Sequence, residues 1–335
     1  MVESTIGFLV CVIAILYAGN RLSYYGDQMS DIMGWGKMWV GMILMAGVTS
    51  LPELVTGISS IRIVDSPDMA VGNVIGSCAF NILIISLLDI IFPKRPPMTY
   101  TAQTGHVIAA SFGIVLLSLV VFSILQPGVF GRIGWIGGDS LVFMLIYFFA
   151  IRSVYNYEKR PKTNQATLEL EHAEEKETKN YSKQFVISRY IFFALIVVVA
   201  AMFLPYYGET IAANTGMGEG VFGTVFLALS TSLPEIVISI MAVRHGSVDM
   251  AVGNVLGSNV FNIFVLALND MVYTKGPLLE NISQELLVPS MGTILITTIG
   301  IIGLVYKSKL KWMMAIDTFF ILLVYVLMTK LMFAP

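Results

Sequence analysis

Two glutamates occupy matching positions in stretches apolar enough to lie within a bilayer. Glu53 closes the run Val48-Thr49-Ser50-Leu51-Pro52-Glu53, and Glu235 closes Ser230-Thr231-Ser232-Leu233-Pro234-Glu235. A glutamate at the centre of a membrane helix costs roughly 2.5–3.5 kcal/mol if it behaves like aspartate on insertion scales. In a helix Thr49 and Ser50 lie four and three residues before Glu53, so all three share a face. Pro52 lacks an N–H, so the carbonyl of Val48 loses its donor and that of Thr49 lies at the same distortion. In hydrocarbon such oxygens need a partner, and a cation is one. Ser230, Thr231, Ser232, Pro234 and Glu235 repeat the pattern. A proline kink with a polar helix contact explains one copy; two copies with matched glutamates point to a cation site.

A second motif follows each glutamate. Gly72-Asn73-Val74-Ile75-Gly76-Ser77-Cys78-Ala79-Phe80-Asn81 returns as Gly253 to Asn262, with Leu256, Asn259 and Val260 in place of Ile75, Cys78 and Ala79. Gly72/Gly76 and Gly253/Gly257 are small-xxx-small pairs that let helix backbones approach closely. Ser77/Asn81 and Ser258/Asn262 are four apart and line one face, which the glycines would press against the glutamate helix. Asn73 and Asn254 fall elsewhere on the helix and read as structural. Asp89 and Asp270 match near span ends and read as interfacial, with ion entry as a lesser role.

The donors are all oxygens: two carboxylates, two amides, hydroxyls and freed carbonyls. Hard oxygen ligands suit Ca²⁺, Na⁺ or Mg²⁺ rather than zinc or copper. Ca²⁺ takes about 6–8 oxygens in flexible geometry, whereas Mg²⁺ keeps its waters. Two carboxylates neutralise one dehydrated Ca²⁺; hydroxyls and carbonyls suffice for Na⁺. A site mixing both suits competition between the two ions. His106, His172 and His245 are scattered and Cys11 and Cys78 are unpaired in spacing, so no catalytic dyad, metal cage or disulfide framework can be drawn. An enzyme or a non-transporting receptor is therefore disfavoured, and no cofactor is expected.

These motifs must be held by membrane helices. Hydrophobic residues make up 56% of the 335 residues and charged ones 13%, against about 25% charged in a soluble domain. The N-terminus lacks the basic region of a signal peptide, so the first apolar run reads as a retained helix. The fold class expected is an all-α integral membrane protein. Ten spans are predicted, at 4–31, 36–61, 69–92, 104–125, 136–156, 185–214, 219–243, 249–272, 286–306 and 311–333. They form a first five-helix repeat over 1–156, a polar linker over 157–184, and a second five-helix repeat over 185–335.

Repetition supports this division. Residues 24–53 align with 206–235 at an offset of 182 with 12 identities in 30, and 68–82 align with 249–263 at 181 with 12 in 15. Five spans per half is an odd number, so the second half must be inverted in the membrane, with the site at the midplane between halves. With the linker in the cytoplasm, only Arg62, Arg132, Lys275 and Lys330 of the 20 basic residues face outward. That skew orients both termini outside.

The paired motifs resemble the sodium/calcium exchanger family of the cation/calcium exchanger superfamily, in its prokaryotic form, over essentially the whole chain. The proton-coupled calcium branch carries a different, Gly-Asn-Ala-x-Glu type motif. The resemblance implies a Na⁺/Ca²⁺ antiporter of the cell membrane working by alternating access, with Ca²⁺ and Na⁺ as substrates, and a monomer is expected. It implies that Glu53 and Glu235 are ligands shared by both ions. Backbone oxygens of Thr49 and Thr231 would assist Ca²⁺, and those of Ala46 and Ala228, with Ser50, Ser232, Ser77 and Ser258, would build flanking Na⁺ sites. Asn81 and Asn262 would complete the centre, and the long helices at 4–31 and 185–214 would slide to switch access. This chain departs from the family in two ways. Val48 and Ser230 stand where relatives have Gly, and both central amides are Asn where many prokaryotic relatives have one Asp. Asn cannot titrate, so proton coupling through that position is excluded. The alternative kept open is H⁺-coupled or K⁺-assisted exchange of Ca²⁺ or another divalent cation, since buried glutamates can bind protons.

Overall fold

The computed structural model describes residues 2–159, 181–214, 231–309 and 315–332. Among these the chain is helical apart from a two-stranded hairpin and its connections. We label the helices α1 Val2–Met33, α2 Lys37–Arg62, α3 Pro67–Ile91, α4 His106–Leu125, α5 Gly138–Glu158, α6 Lys183–Asn214, α7 Leu233–Arg244, α8 Val248–Val272, α9 Leu287–Tyr306 and α10 Ile316–Met332. Eight segments are long and apolar enough to span a bilayer among the described residues. α7 and α10, with 12 and 17 residues, are shorter there. The predicted span 219–243 is described only from residue 231 onward. The predicted linker falls mostly on 160–180, outside the described residues.

Polarity is arranged inside out. Leu145, Phe149, Ile302, Val305 and Leu331 are exposed, while Glu53, Glu235, Asn81, Asn262 and Thr49 are buried. A solvent-facing protein would not show its apolar side chains this way; a bilayer-embedded one does. The chain is a multi-pass membrane protein.

α3 and α8 are the most enclosed spans, and α8 packs against α2, α3, α4, α5 and α7. α1 and α6 run along each other at the periphery. Each has 32 residues, or about 48 Å at 1.5 Å per residue, so each is longer than a hydrocarbon core of about 30 Å.

Close approach explains the glycines. A Cβ at Gly253 would meet the Met38 carbonyl at 2.6 Å, and one at Gly257 would collide with the Met42 backbone. Gly41 on α2 faces the Met250 carbonyl in the same way. The pair Gly253/Gly257 therefore seats α8 against the first half of α2. Gly76 meets nothing within 4 Å among the described residues.

A single kinked helix was the expectation for 36–61. Instead α2 opens with an α-turn capped by Glu158, whose carboxylate accepts the Met38 and Trp39 N–H groups at 3.2 and 3.0 Å. It widens into a π-helical turn over Val40–Met45 and breaks at Ser50. Such π-turns absorb an extra residue and gather at functional sites; here the wide turn accompanies Gly41 lying flat against α8.

Candidate cation-binding site

Two helix breaks build the site. Ser50 has φ −93° and ψ 5°, and Ser232 has φ −87° and ψ 5°. Each begins a new helix, Leu51–Arg62 or Leu233–Arg244, with proline in the first turn and the glutamate beside it. Proline is tolerated there because first-turn N–H groups have no intrahelical partner. The same position gives Glu53 and Glu235 the positive end of a helix dipole, which favours a carboxylate.

Both glutamates are fully enclosed, at 0% and 1% exposure. Ser77 Oγ donates to Glu53 Oε1 at 3.3 Å, so α3 meets the break in α2 through the serine of the second motif. Glu235 lies within electrostatic range of Glu53, with the side chains of Thr49 and Ser50 beside it. The two halves thus bring their acids into one neighbourhood.

Thr49 is the hub on the other flank. Its Oγ1 lies 3.3 Å from the Ala46 carbonyl, 3.3 Å from Ser258 Oγ and 3.4 Å from Asn254 Oδ1. The Ala46 carbonyl also accepts the Ser50 N–H at 3.0 Å, so it is already engaged within the helix. Thr231, Ser232 and Ser258 are buried. Ala228, the remaining backbone donor, lies outside the described residues.

What sets this centre apart is unspent polarity. Among the described residues, Ser50 Oγ, Ser232 Oγ, Glu53 Oε2, both carboxylate oxygens of Glu235 and both amide atoms of Asn81 and Asn262 are buried without a hydrogen-bond partner. A buried polar group left unsatisfied costs about 1–3 kcal/mol. A cluster this dense, next to two carboxylates, fits a dehydrated cation held by oxygens.

The pseudo-symmetry is also physical contact. Cys78 and Asn259, equivalent at the offset of 181, touch each other: Asn259 Nδ2 donates to the Cys78 carbonyl at 3.0 Å, and Cys78 Sγ approaches the Asn259 carbonyl at 3.8 Å. Matching places in the two sequence repeats thus meet where α3 crosses α8. Cys78 therefore serves the α3–α8 crossing.

Asn254 takes the structural role expected of it: its Nδ2 donates to Ser239 Oγ at 3.1 Å while its Oδ1 faces Thr49. It ties α7 and the α2 break to α8; repetition of Asn at that position was the only sequence signal. Asp89 and Asp270, in the last turns of α3 and α8, are buried. Asp89 accepts the Met98 N–H at 2.8 Å and the Thr318 hydroxyl at 2.8 Å; Asp270 accepts the Leu278 N–H at 2.6 Å and the Gly137 N–H at 2.8 Å. They brace the loops that follow α3 and α8, which leaves no free carboxylate oxygen for ion entry.

Comparison with known proteins points the same way. Residues 3–155 and 186–331 match the family described as sodium/calcium exchanger protein. The chain is 28% identical over 268 residues to the inner membrane protein YrbG of Escherichia coli, covering 79% of this chain and 78% of that one. It is 25% identical over 298 residues to the sodium/calcium exchanger MaX1 of Methanosarcina acetivorans, covering 80% and 84%. Its fold matches that of the solved sodium-calcium exchanger NCX_Mj with a TM-score of 0.72 at 21% identity, over 98% of this chain and 97% of the other. With the family match running through both halves of the sequence, the chain belongs to the sodium/calcium exchanger protein family.

Proposed function

We propose that this protein is a secondary antiporter exchanging Na⁺ for Ca²⁺ across the cell membrane by alternating access. As a member of an exchanger family it is a transporter rather than an enzyme. The observation that carries the reading is the enclosed pair Glu53 and Glu235, surrounded by unpartnered oxygens from both sequence repeats. Two carboxylates balance one Ca²⁺, with backbone oxygens of Thr49 and Thr231 beside it and Asn81 and Asn262 completing the centre, while Ser50, Ser77, Ser232 and Ser258, with the backbone oxygens of Ala46 and Ala228, build flanking Na⁺ sites. When Na⁺ replaces Ca²⁺, the same glutamates serve and the hydroxyl oxygens hold the flanking ions. Residues 1–156 and 185–335 act as two inverted halves around this centre, with both termini outside and 157–184 in the cytoplasm. α1 and α6, the long peripheral pair, are the elements free to slide, and one chain suffices. The similarity to MaX1, named a sodium/calcium exchanger, supports the choice of ions.

The test is isotopic Ca²⁺ uptake into proteoliposomes under separate Na⁺, K⁺ and H⁺ gradients. Uptake driven by the Na⁺ gradient alone is expected. Uptake driven by a pH gradient in Na⁺-free buffer would replace this reading with proton-coupled exchange.

A further inference from the structure

We infer that the chain carries a second site for a calcium-class cation, at the end of the bundle away from the central linker. A pocket there is lined by Ser123 at the end of α4, Gln126, Gly128 and Phe130 of the following turn, Asp139 at the start of α5, and Glu280 from the loop between α8 and α9. It has room for one water-sized particle. Two segments distant in sequence, the α4–α5 connection and the loop between α8 and α9, converge on it.

The donors are again all oxygens. Asp139 and Ser123 are enclosed, at 7% and 4% exposure. The Ser123 hydroxyl lies against the Asp139 carboxylate, and no hydrogen bond of ordinary geometry satisfies its oxygen among the described residues. Asp139 Oδ1 accepts the neighbouring Ser140 N–H at 2.9 Å, which leaves the carboxylate lone pairs to spare. The Glu280 carboxylate comes down over Gly128, 3.5 Å from where a Cβ there would stand. Two carboxylates and one unspent hydroxyl make a hard, doubly negative donor set, which suits Ca²⁺.

A role in the helix end alone would explain less. An acid in the first turn of α5 complements the helix dipole, but that needs neither Ser123 nor Glu280. The neighbouring Asp270 already accepts the Gly137 and Leu278 N–H groups, so it braces the site without joining it. A cation here clamps the α4–α5 hairpin to the loop that ends α8, the helix bearing Ser258 and Asn262. Occupancy of the second site then sets the stiffness of that end of α8.

The test is ⁴⁵Ca²⁺ binding by equilibrium dialysis on full-length detergent-purified protein carrying Glu53→Gln and Glu235→Gln, so that the central pair does not contribute. About one Ca²⁺ per chain should remain bound, and adding Asp139→Asn should weaken it by about tenfold or more, with Glu280→Gln and Ser123→Ala weakening it less. Size-exclusion profiles check folding; if Asp139→Asn fails to fold, the Glu280→Gln and Ser123→Ala pair decides. No Ca²⁺ bound to the Glu53/Glu235 variant at millimolar concentration overturns the second site while leaving the central one intact. Binding that is indifferent to all three substitutions overturns it too.

Discussion

Replacing Asn81 by Leu should stabilise the ion-free protein and weaken Ca²⁺ binding at once. Leu keeps the branching of Asn and exchanges its amide oxygen and nitrogen for methyl groups. Asn81 is 1% exposed, and neither amide atom has a partner among the described residues. Relief of that unmet polarity is worth about 1–3 kcal/mol. If Asn81 is a ligand, its loss weakens the site about tenfold, or roughly 1.4 kcal/mol. At a Ca²⁺ concentration of about 100 times the wild-type Kd, ligand binding stabilises the folded protein by about 2.7 kcal/mol; a Kd raised tenfold cuts this to about 1.4 kcal/mol. Thermal unfolding in detergent, with and without Ca²⁺, reads both quantities. The variant should melt higher than wild type in chelator and gain only about half the shift on adding Ca²⁺. Lower stability in chelator, by more than about 1 kcal/mol, would show that the amide is satisfied inside the protein and refute the reasoning.

Other perturbations have definite signs. Gly257→Ala presses a methyl into the Met42 backbone and should cost about 1–3 kcal/mol, read as a lower melting temperature and lower yield of monodisperse protein. Lys37→Met removes the ion pair with Asp27, made at 2.8 Å, where Asp27 also accepts the Ser247 hydroxyl. The aspartate is far more buried than the lysine, so Lys37→Met alone should destabilise by about 1–2 kcal/mol, and adding Asp27→Asn should recover part of the loss in a double-mutant cycle. Asn254→Leu removes the bond to Ser239 and the contact with Thr49. Ca²⁺ uptake should show a raised apparent KM with Glu53 and Glu235 intact; an unchanged KM would make Asn254 mere packing.

Much of this architecture can be read from the chain because membrane helices announce themselves by length and hydropathy. The segments at 69–92, 104–125 and 249–272 differ by only a few residues from α3, α4 and α8. The repeated Thr-Ser-Leu-Pro-Glu also discloses where the helices break, since proline cannot donate to the carbonyl four residues back. Less accessible was anything set by which residue meets which across the bundle. The offset of 181 makes Cys78 and Asn259 equivalent, but only the crossing of α3 and α8 makes them touch. The π-turn over Val40–Met45 accompanies Gly41 against the Met250 carbonyl, a contact no local pattern encodes. Asp89 and Asp270 look interfacial by position along their spans; their loop partners, Met98, Leu278, Gly137 and Thr318, come from elsewhere in the fold. The hairpin pairing Arg132 with Gly137 likewise carries too few residues to show periodicity.

The most direct measurement compares Na⁺-gradient-driven ⁴⁵Ca²⁺ uptake by the wild-type chain with that by Glu53→Gln and Glu235→Gln, each alone, at matched protein in proteoliposomes. If one ion is gripped jointly by an acid from either half, each single neutralisation abolishes uptake. Should one of the two variants still transport at near wild-type rate, the shared grip does not exist and the account fails.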